Sequence, residues 1–136
     1  MYPMTHSCEV FMKNKKTPPV PLEKEEDATF FEWAELKSIK CPELVGLYHI
    51  PNEKAWTLGR KQGVVPGVFD WHLPVASNGY IGCWIEMKRR NGGRVSPAQL
   101  EWMLLMRGYG HFAEVCRGSD EAIKAICVYL GISERL

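Results

Sequence analysis

The sequence lacks the segments that would place it in a membrane or outside the cell. Its first residues contain no continuous apolar run of the kind that forms a secretory signal, and no run approaches the length of a transmembrane helix. The five cysteines are odd in number and scattered, and no Cys-x-x-Cys pair occurs. Cys83, Cys116 and Cys127 lie in apolar patterns, as reduced core cysteines usually do. We therefore expect a cytoplasmic globular protein without a disulfide framework.

The sequence also has no excess of one charge and no Gly-rich phosphate loop. The formal net charge is +1, which by itself indicates no polyanionic partner. The basic residues are nevertheless clustered, and the cluster comprises Lys54, Arg60, Lys61, Lys88, Arg89, Arg90, Arg94 and Arg107. Such a cluster is either solvated surface or a face that contacts phosphates.

The length of 136 residues suits one domain. Residues 1–21 end in the polar, Pro-rich "KNKKTPPVP", which predicts a flexible arm ahead of a domain over residues 22–136. Periodicity and capping residues predict a helix over 22–39, strands over 43–50 and in the stretch 63–90, a helix over 97–107, a strand over 111–116 and a helix over 119–131. Ser96 and Ser119 are the predicted N-caps, and Gly131 is the predicted stop. The order α-β-β-β-α-β-α indicates a mixed sheet with helices packed on it.

The stretch "GVVPGVFDWHLPVASNGYIGCWIEMKRR" reads as two strands around a turn. If a three-residue loop is centred on Asn78, Asp70 lies opposite Glu86 and Val68 lies opposite Lys88. One face of the hairpin is then entirely apolar, with Phe69, Trp71, Leu73, Cys83, Ile85 and Met87. Asp70, Glu86 and Lys88 gather on the other face, within side-chain reach of one another.

Two carboxylates that face each other across a ladder need a neutralising cation. Lys88 could supply it, and the three residues would then form a structural salt-bridge cluster. Mg²⁺ or Mn²⁺ suits carboxylate oxygens better and would leave Lys88 free for catalysis. Such a site activates a water and polarises a phosphoryl oxygen, while an ammonium group stabilises developing charge.

The Asp…Glu-x-Lys pattern of "GVFD" and "WIEMK" is that of the PD-(D/E)XK nuclease superfamily. With "HIPN", "KQGVVPGVFD", "GRVSPAQLEW", "GYG" and "SDEAIKAICVYL", the chain resembles the VRR-NUC family, the virus-type replication-repair nucleases, from about Leu22 to Leu130. The resemblance implies an α/β (α+β) fold of the restriction-endonuclease type, with a mixed sheet flanked by helices. Phe69 departs from the Pro that many superfamily members have before the aspartate. Because Phe69 faces the core in the predicted register, Asp70 should remain a ligand.

The resemblance implies a Mg²⁺- or Mn²⁺-dependent endodeoxyribonuclease. Asp70 and Glu86 would be metal ligands, the Met87 carbonyl a further ligand, and Lys88 would handle the attacking water. The family also carries a glutamine on the helix after the Glu-x-Lys strand, which Gln99 matches. Gln99 equally fits a capping box with Ser96, so both roles stay open.

Family members further carry a glutamate on the first helix. Glu23 aligns with that motif, whereas Glu26 shares a helical face with Phe30 and Trp33 and could also point inward. His72 follows Asp70 by two residues and would touch substrate or serve the structure. Among the tryptophans, Trp56 in the long connection is the best candidate for stacking on bases.

We expect phosphodiester hydrolysis in structured DNA, with phosphate contacts from Lys61, Arg89, Arg90 and Arg94. Stand-alone members of the family act as homodimers on four-way junctions, and no appended recognition domain is apparent, so we expect a Holliday-junction-resolving homodimer. The terminal helix or the strand at "HFAEVC" would form its interface. We expect it to be bacterial or phage-encoded and to act on DNA in the host cell. The alternatives are a DNA-binding module with a vestigial metal site, a nuclease for flaps or linear DNA, and an enzyme for small phosphate esters, which the missing phosphate loop disfavours.

Overall fold

The computed structural model describes residues 17–51 and 62–136. The helices there are α1 (Glu23–Lys37), α2 (Pro97–Gly108) and α3 (Ser119–Leu130), and the strands are β1 (Tyr48–His49), β2 (Trp71–Leu73), β3 (Cys83–Lys88) and β4 (Phe112–Arg117). Their order is α1-β1-β2-β3-α2-β4-α3, as predicted. The predicted contacts of Lys61 and Trp56 lie outside the described residues. None of the helices in the described ranges is both long and apolar enough to cross a membrane.

The sheet is mixed, which confirms the predicted fold class. Its strands lie in the order β1-β2-β3-β4, with antiparallel pairs β1·β2 and β2·β3 and a parallel pair β3·β4 that α2 connects. Helices α1 and α3 cover one face, where Phe30 and Ile126 pack with Ile85 and Met87 of β3. Helix α2 covers the other face with Met106. Strand β3 is therefore covered on both faces, and its residues are almost all buried.

The predicted hairpin register is confirmed, although the turn is different. Trp71 pairs with Ile85, His72 with Trp84 and Leu73 with Cys83. The predicted three-residue loop is wrong, because Ser77 pairs with Tyr80 around a two-residue turn. Both turn residues, Asn78 and Gly79, have positive φ angles (51° and 82°), as a type I′ turn requires. The register survives because the three residues 74–76 face only the two residues 81–82, so one extra residue offsets the shorter turn.

Phe69 is buried, but not in the cluster that the alternation predicts. The main cluster contains Trp71 and its neighbours, whereas Phe69 packs with Met106 and Ala113 on the α2 side. The cause is the bend before β2, where Gly67 has a φ of 88° and approaches α2 so closely that a Cβ would lie 2.3 Å from the Ala98 carbonyl oxygen. The ladder consequently begins at Trp71, one residue after Asp70.

Two local predictions are corrected. The strand predicted over 43–50 is a 3₁₀ helix at Pro42–Gly46, followed by the two residues of β1. Pro42 stands at the first helical position, which proline favours. Ser119 is the first residue of α3 rather than its cap, and the N-cap position belongs to Gly118, which has a φ of 92°. The cysteines in the described ranges are free and buried, as predicted for Cys83, Cys116 and Cys127.

Candidate active site

A cavity of about 850 Å³ opens at one end of the sheet, beside the N-terminal turns of α1 and α2. Strand β1 ends there, the chain enters β2 there, and β3 ends there. The charged and amide-bearing side chains that line the cavity are Glu23, Lys24, Asp27, His49, Asp70, Glu86, Lys88, Arg89 and Gln99. Five of the six residues that were predicted to be catalytic are among them.

Asp70 and Glu86 are locked together by hydrogen bonds to the main chain. The Asp70 N–H donates to Glu86 Oε2 at 3.1 Å, and the Met87 N–H donates to Asp70 Oδ2 at 3.1 Å. The side chains thus accept N–H groups at the point where the β2·β3 ladder has ended. Glu86 is only 2% exposed, so its carboxylate is fixed in a nearly dry position.

The two carboxylates do not both ionise readily at neutral pH. Burial raises the pKa of Glu86 to about 8, and the charge of Asp70 adds to that rise while Lys88 opposes it. Burial also raises the pKa of Asp70 to about 6, although the hydrogen bond from Met87 opposes this rise. Lys88 supplies only one positive charge for two buried carboxylates, so the pair would be stabilised by a further cation.

Lys88 lies beside Glu86, with its Nζ atom 3.2 Å from Glu86 Oε1. The side chain of Lys88 is 10% exposed and lines the cavity. The ion pair expected of a structural salt-bridge cluster is therefore present. It also holds the ammonium group at the cavity, where catalysis would need it.

Gln99 makes the contacts of both roles left open by the sequence. Its Oε1 atom accepts from the Ser96 N–H at 2.9 Å, and the Gln99 N–H donates to Ser96 Oγ at 3.1 Å, which completes a capping box at the start of α2. Its Nε2 atom donates to Glu86 Oε1. One amide thus caps the helix with its oxygen and holds Glu86 with its nitrogen.

Of the two first-helix glutamates, the structure brings Glu23 to the cavity and not Glu26. Burial raises the pKa of Glu23, and the charge of Lys88 opposes that rise. Glu26 does point inward, as its helical face predicted, but it is 2% exposed and does not line the cavity. Its Oε2 atom accepts from Arg90 Nε at 3.1 Å and from the Ser119 N–H at 2.9 Å. Glu26 therefore caps α3 and neutralises Arg90.

Asp27 and His49 also line the cavity, although sequence reasoning did not select them. Asp27 Oδ1 accepts from Trp71 Nε1 at 2.7 Å, and Asp27 Oδ2 lies 3.9 Å from His49 Nε2. Burial raises the pKa of Asp27, and the Trp71 hydrogen bond opposes the rise. One signal was available, because Asp27 follows Glu23 by four residues and so shares its helical face.

The predicted DNA-contacting arginines have three different environments. Arg89 lines the cavity and donates to the carbonyl oxygens of Val20 at 3.0 Å and Pro21 at 3.2 Å. Arg90 is bound to Glu26 and lies 3.3 Å from Asp120, so two carboxylates already compensate its charge. Arg94 is exposed, and within residues 17–51 and 62–136 it forms neither an ion pair nor a side-chain hydrogen bond.

His72 serves the structure rather than the cavity. Its Nδ1 atom lies 2.8 Å from the Tyr48 hydroxyl group, and its ring stacks on Trp84 with 3.9 Å between the centroids. It does not line the cavity. These contacts are those expected of the structural role.

The donor set at Asp70 and Glu86 fits a hard divalent cation. The atoms on offer are carboxylate oxygens, and a second positive charge would allow both groups to ionise. Among the described residues, no three His, Cys, Asp or Glu side chains gather as a metal-binding group. A cation here would thus complete its coordination with main-chain oxygen, water and substrate phosphate, as Mg²⁺ commonly does.

No family model and no curated protein sequence matches the chain. A solved structure described as a "VRR_NUC domain protein" is similar to it, with a TM-score of 0.73 and 25% sequence identity. The likeness covers 85% of this chain and 93% of the other, so it concerns the whole domain and not one motif.

Proposed function

Because the chain has the VRR-NUC fold, we propose that it is a nuclease of that family, and specifically a Mg²⁺- or Mn²⁺-dependent endodeoxyribonuclease acting on branched DNA. The observation that carries this proposal is the buried Asp70–Glu86 pair, flanked by Lys88 and held by Gln99 in one cavity. A fold that only bound DNA would not need two carboxylates with raised pKa values at the end of its sheet.

Each side chain has a defined task in the proposed hydrolysis. Asp70, Glu86 and the Met87 carbonyl would hold the divalent cation, which supplies Lewis-acid polarisation of the phosphoryl group when bound. Lys88 orients the attacking water and stabilises negative charge that develops on the phosphate. Gln99 fixes the rotamer of Glu86, and Glu23 supplies a further carboxylate at the cavity wall.

A phosphate polymer suits the surroundings of the metal-binding carboxylates, because basic side chains lie in and beside the cavity. Lys24 and Arg89 line the cavity itself, and Arg94 lies exposed in the loop between β3 and α2. Such groups contact phosphates irrespective of sequence. Selectivity for a branched substrate would then come from the relative placement of two active sites.

A two-fold homodimer supplies two active sites that cut opposite strands of a junction. Strand β4 supports one of the predicted interfaces, because it lies at the edge of the sheet and is six residues long. Beside it, α2 exposes Leu104 (64%) and Leu105 (46%). Pairing of the two β4 edges would bury this surface.

The test is incubation of the protein with labelled linear duplex, flap and four-way junction DNA, with Mn²⁺ or with EDTA. We expect metal-dependent cleavage, faster on the junction, and a dimeric mass by light scattering. Binding without cleavage would indicate a vestigial site and would refute the enzymatic assignment. Equal rates on all three substrates, or a monomeric mass with junction bound, would refute junction resolution and leave the nuclease assignment intact.

A further inference from the structure

His49, Asp27 and Trp71 form a chain of contacts at the wall of the cavity. The Trp71 indole N–H fixes Asp27 through a 2.7 Å hydrogen bond, and the second Asp27 oxygen faces His49 Nε2 at 3.9 Å. The His49 ring also packs edge-on against the Trp71 ring, with 4.9 Å between the centroids. The imidazole is therefore held from two sides, yet 40% of its side chain stays exposed at the cavity.

The strand order places His49 and Lys88 on opposite flanks of the two carboxylates. His49 ends β1, Asp70 precedes β2, and Glu86 and Lys88 end β3, and these are three neighbouring strands. Neighbouring strands lie about 4.8 Å apart, so β1 and β3 are separated by roughly 10 Å. His49 pairs with Trp71 and therefore lies on the α1 face of the sheet, but the β2·β3 ladder has ended at this point and His49 and Lys88 both line the cavity. A phosphate bound in the cavity would have the imidazole on its β1 side and the ammonium group on its β3 side.

Phosphoryl transfer by in-line displacement also has two flanks, because the attacking and the leaving oxygen lie on opposite sides of the phosphorus atom. On the basis of the function proposed above, which gives Lys88 the attacking water, we propose that His49 is a further catalytic residue that protonates the leaving oxygen. The bond from the water oxygen to phosphorus forms, and the bond from phosphorus to the leaving oxygen breaks. The imidazolium gives its proton to that oxygen. The attacking water gives its own proton to a second water molecule of the solvent-filled cavity, because the Lys88 ammonium group can orient the attacking water but cannot accept a proton. His49 then takes up a proton from solvent through its exposed edge.

The other possible roles of His49 fit the contacts less well. No metal-binding group of three His, Cys, Asp or Glu side chains exists among the described residues, so His49 does not extend the Asp70–Glu86 pair as a ligand. A histidine that only filled space would not need the carboxylate of Asp27 beside it. We assign Asp27 as a positioning residue, because one of its oxygens is held by Trp71 and the other faces the imidazole ring.

The experiment compares two DNA substrates that differ only in the leaving atom. The ends of the products made by the wild type first show which bridging oxygen is the leaving group. One substrate keeps this oxygen, and the other has sulfur in its place. A thiol has a pKa of about 8.5, against about 15.7 for water, so a sulfur leaving group departs without a proton. Single-turnover rates are measured in Mn²⁺ for the wild type, His49→Gln and Asp27→Asn. Mn²⁺ affinity is measured by calorimetry.

We expect His49→Gln to lower the rate on the oxygen substrate by about 10² to 10⁴ and the rate on the sulfur substrate by less than about tenfold. Asp27→Asn keeps an oxygen for the Trp71 hydrogen bond and should show the same pattern with a smaller loss. Mn²⁺ affinity should be unchanged in both variants, whereas Asp70→Asn should lose Mn²⁺ binding and cleavage of both substrates.

The role of His49 would be overturned if a folded His49→Gln variant lost equal activity on the two substrates or bound Mn²⁺ more weakly. The proposed nuclease activity would still stand in that case, provided that the wild type cuts DNA. If His49→Gln does not fold, His49→Asn is measured in the same way and decides the outcome. A wild type that cuts neither substrate would overturn the proposed function and this inference together.

Discussion

Replacing Asp70 by Asn should stabilise the metal-free protein even though it abolishes cleavage. The substitution keeps the shape of the side chain and retains an oxygen for the hydrogen bond from the Met87 N–H. It removes the negative charge that burial disfavours and that raises the pKa of Glu86. The Asp70–Glu86 pair therefore costs folding free energy, and the isosteric amide releases part of that cost.

The pKa of Asp70 gives the magnitude. A rise from 3.8 to about 6 corresponds to about 3 kcal/mol, at about 1.4 kcal/mol for each tenfold change in the ionisation constant. Proton uptake by Glu86 relieves part of this cost, so we expect a gain of about 1 to 3 kcal/mol. For a domain of this size, that gain raises the melting temperature by roughly 4 to 12 °C.

The difference in stability between the Asn variant and the wild type depends on pH. A raised carboxyl pKa means that the folded state holds its proton at pH values where the unfolded state has lost it, so wild-type stability falls as pH rises from about 4 through 6 for Asp70 and on through about 8 for Glu86. The Asn variant lacks the first part of this loss. Its advantage should be near zero at pH 4 and complete by about pH 8.

Thermal unfolding by circular dichroism in EDTA, at low ionic strength from pH 4 to 8.5, measures this difference. Glu101→Gln is the matched control, because it removes one exposed carboxylate from α2 and should change stability by less than about 0.5 kcal/mol. Saturating Mn²⁺ should stabilise the wild type by about 2.7 kcal/mol at 100 times the dissociation constant and should leave the Asn variant unchanged. An Asn variant that is no more stable than the wild type at pH 8, or whose advantage does not vary with pH, would refute the reasoning.

Three further predictions concern Lys88, Gln99 and the two arginines Arg90 and Arg94. Lys88→Ala should lower the single-turnover cleavage rate by about a hundredfold or more and leave Mn²⁺ affinity intact, and an unchanged rate would reduce Lys88 to its ion pair. Gln99→Glu should keep the helix cap and therefore the melting temperature, but it should abolish cleavage because it places a second carboxylate against Glu86. Gln99→Ala should abolish cleavage and also lower the free energy of unfolding by about 1 kcal/mol, because the cap is lost. A Glu variant that is both active and stable would contradict the dual role. Arg94→Ala should reduce the slope of log K for DNA binding against log salt concentration by about one and leave the melting temperature unchanged. Arg90→Ala should lower the melting temperature, because it leaves Glu26 without its partner. The reverse pattern would exchange the roles of the two arginines.

The sequence predicted the parts of the fold that depend on local pattern. Alternation in two strands sufficed to place Asp70 opposite Glu86, because a slip by one residue would have exposed the entire apolar face. The predicted turn was wrong in length, although the dipeptide Asn78-Gly79 is the one that a two-residue type I′ turn favours. The register was nevertheless right, because an extra residue before the turn compensates for the shorter loop. Phe69 was assigned to the wrong cluster because the bend at Gly67 arises from the close approach of α2, which lies far along the chain.

The sequence predicted which residues line the cavity where their position in a helix or strand was sufficient. It did not predict contacts with partners that are distant in the sequence. Glu26 points inward as its helical face indicates, but its partner is the start of α3, 93 residues away. Asp27 and His49 lie far apart in the sequence, and the fold brings both of them against Trp71. Gln99 seemed to require a choice between two roles, because sequence alone does not show that one amide can reach both groups.

The placement of Glu26 changes how loss-of-function screens of this protein should be interpreted. Its carboxylate links α1 to Arg90 after β3 and to the first N–H of α3, so a substitution there loosens three elements together. A screen at one temperature would group such variants with catalytic ones, although Glu26 does not line the cavity. Cooling distinguishes the two groups, because a folding defect recedes at lower temperature whereas a missing catalytic group does not. Glu26 variants are therefore suitable temperature-sensitive alleles, which would switch the activity without altering the chemistry of the site.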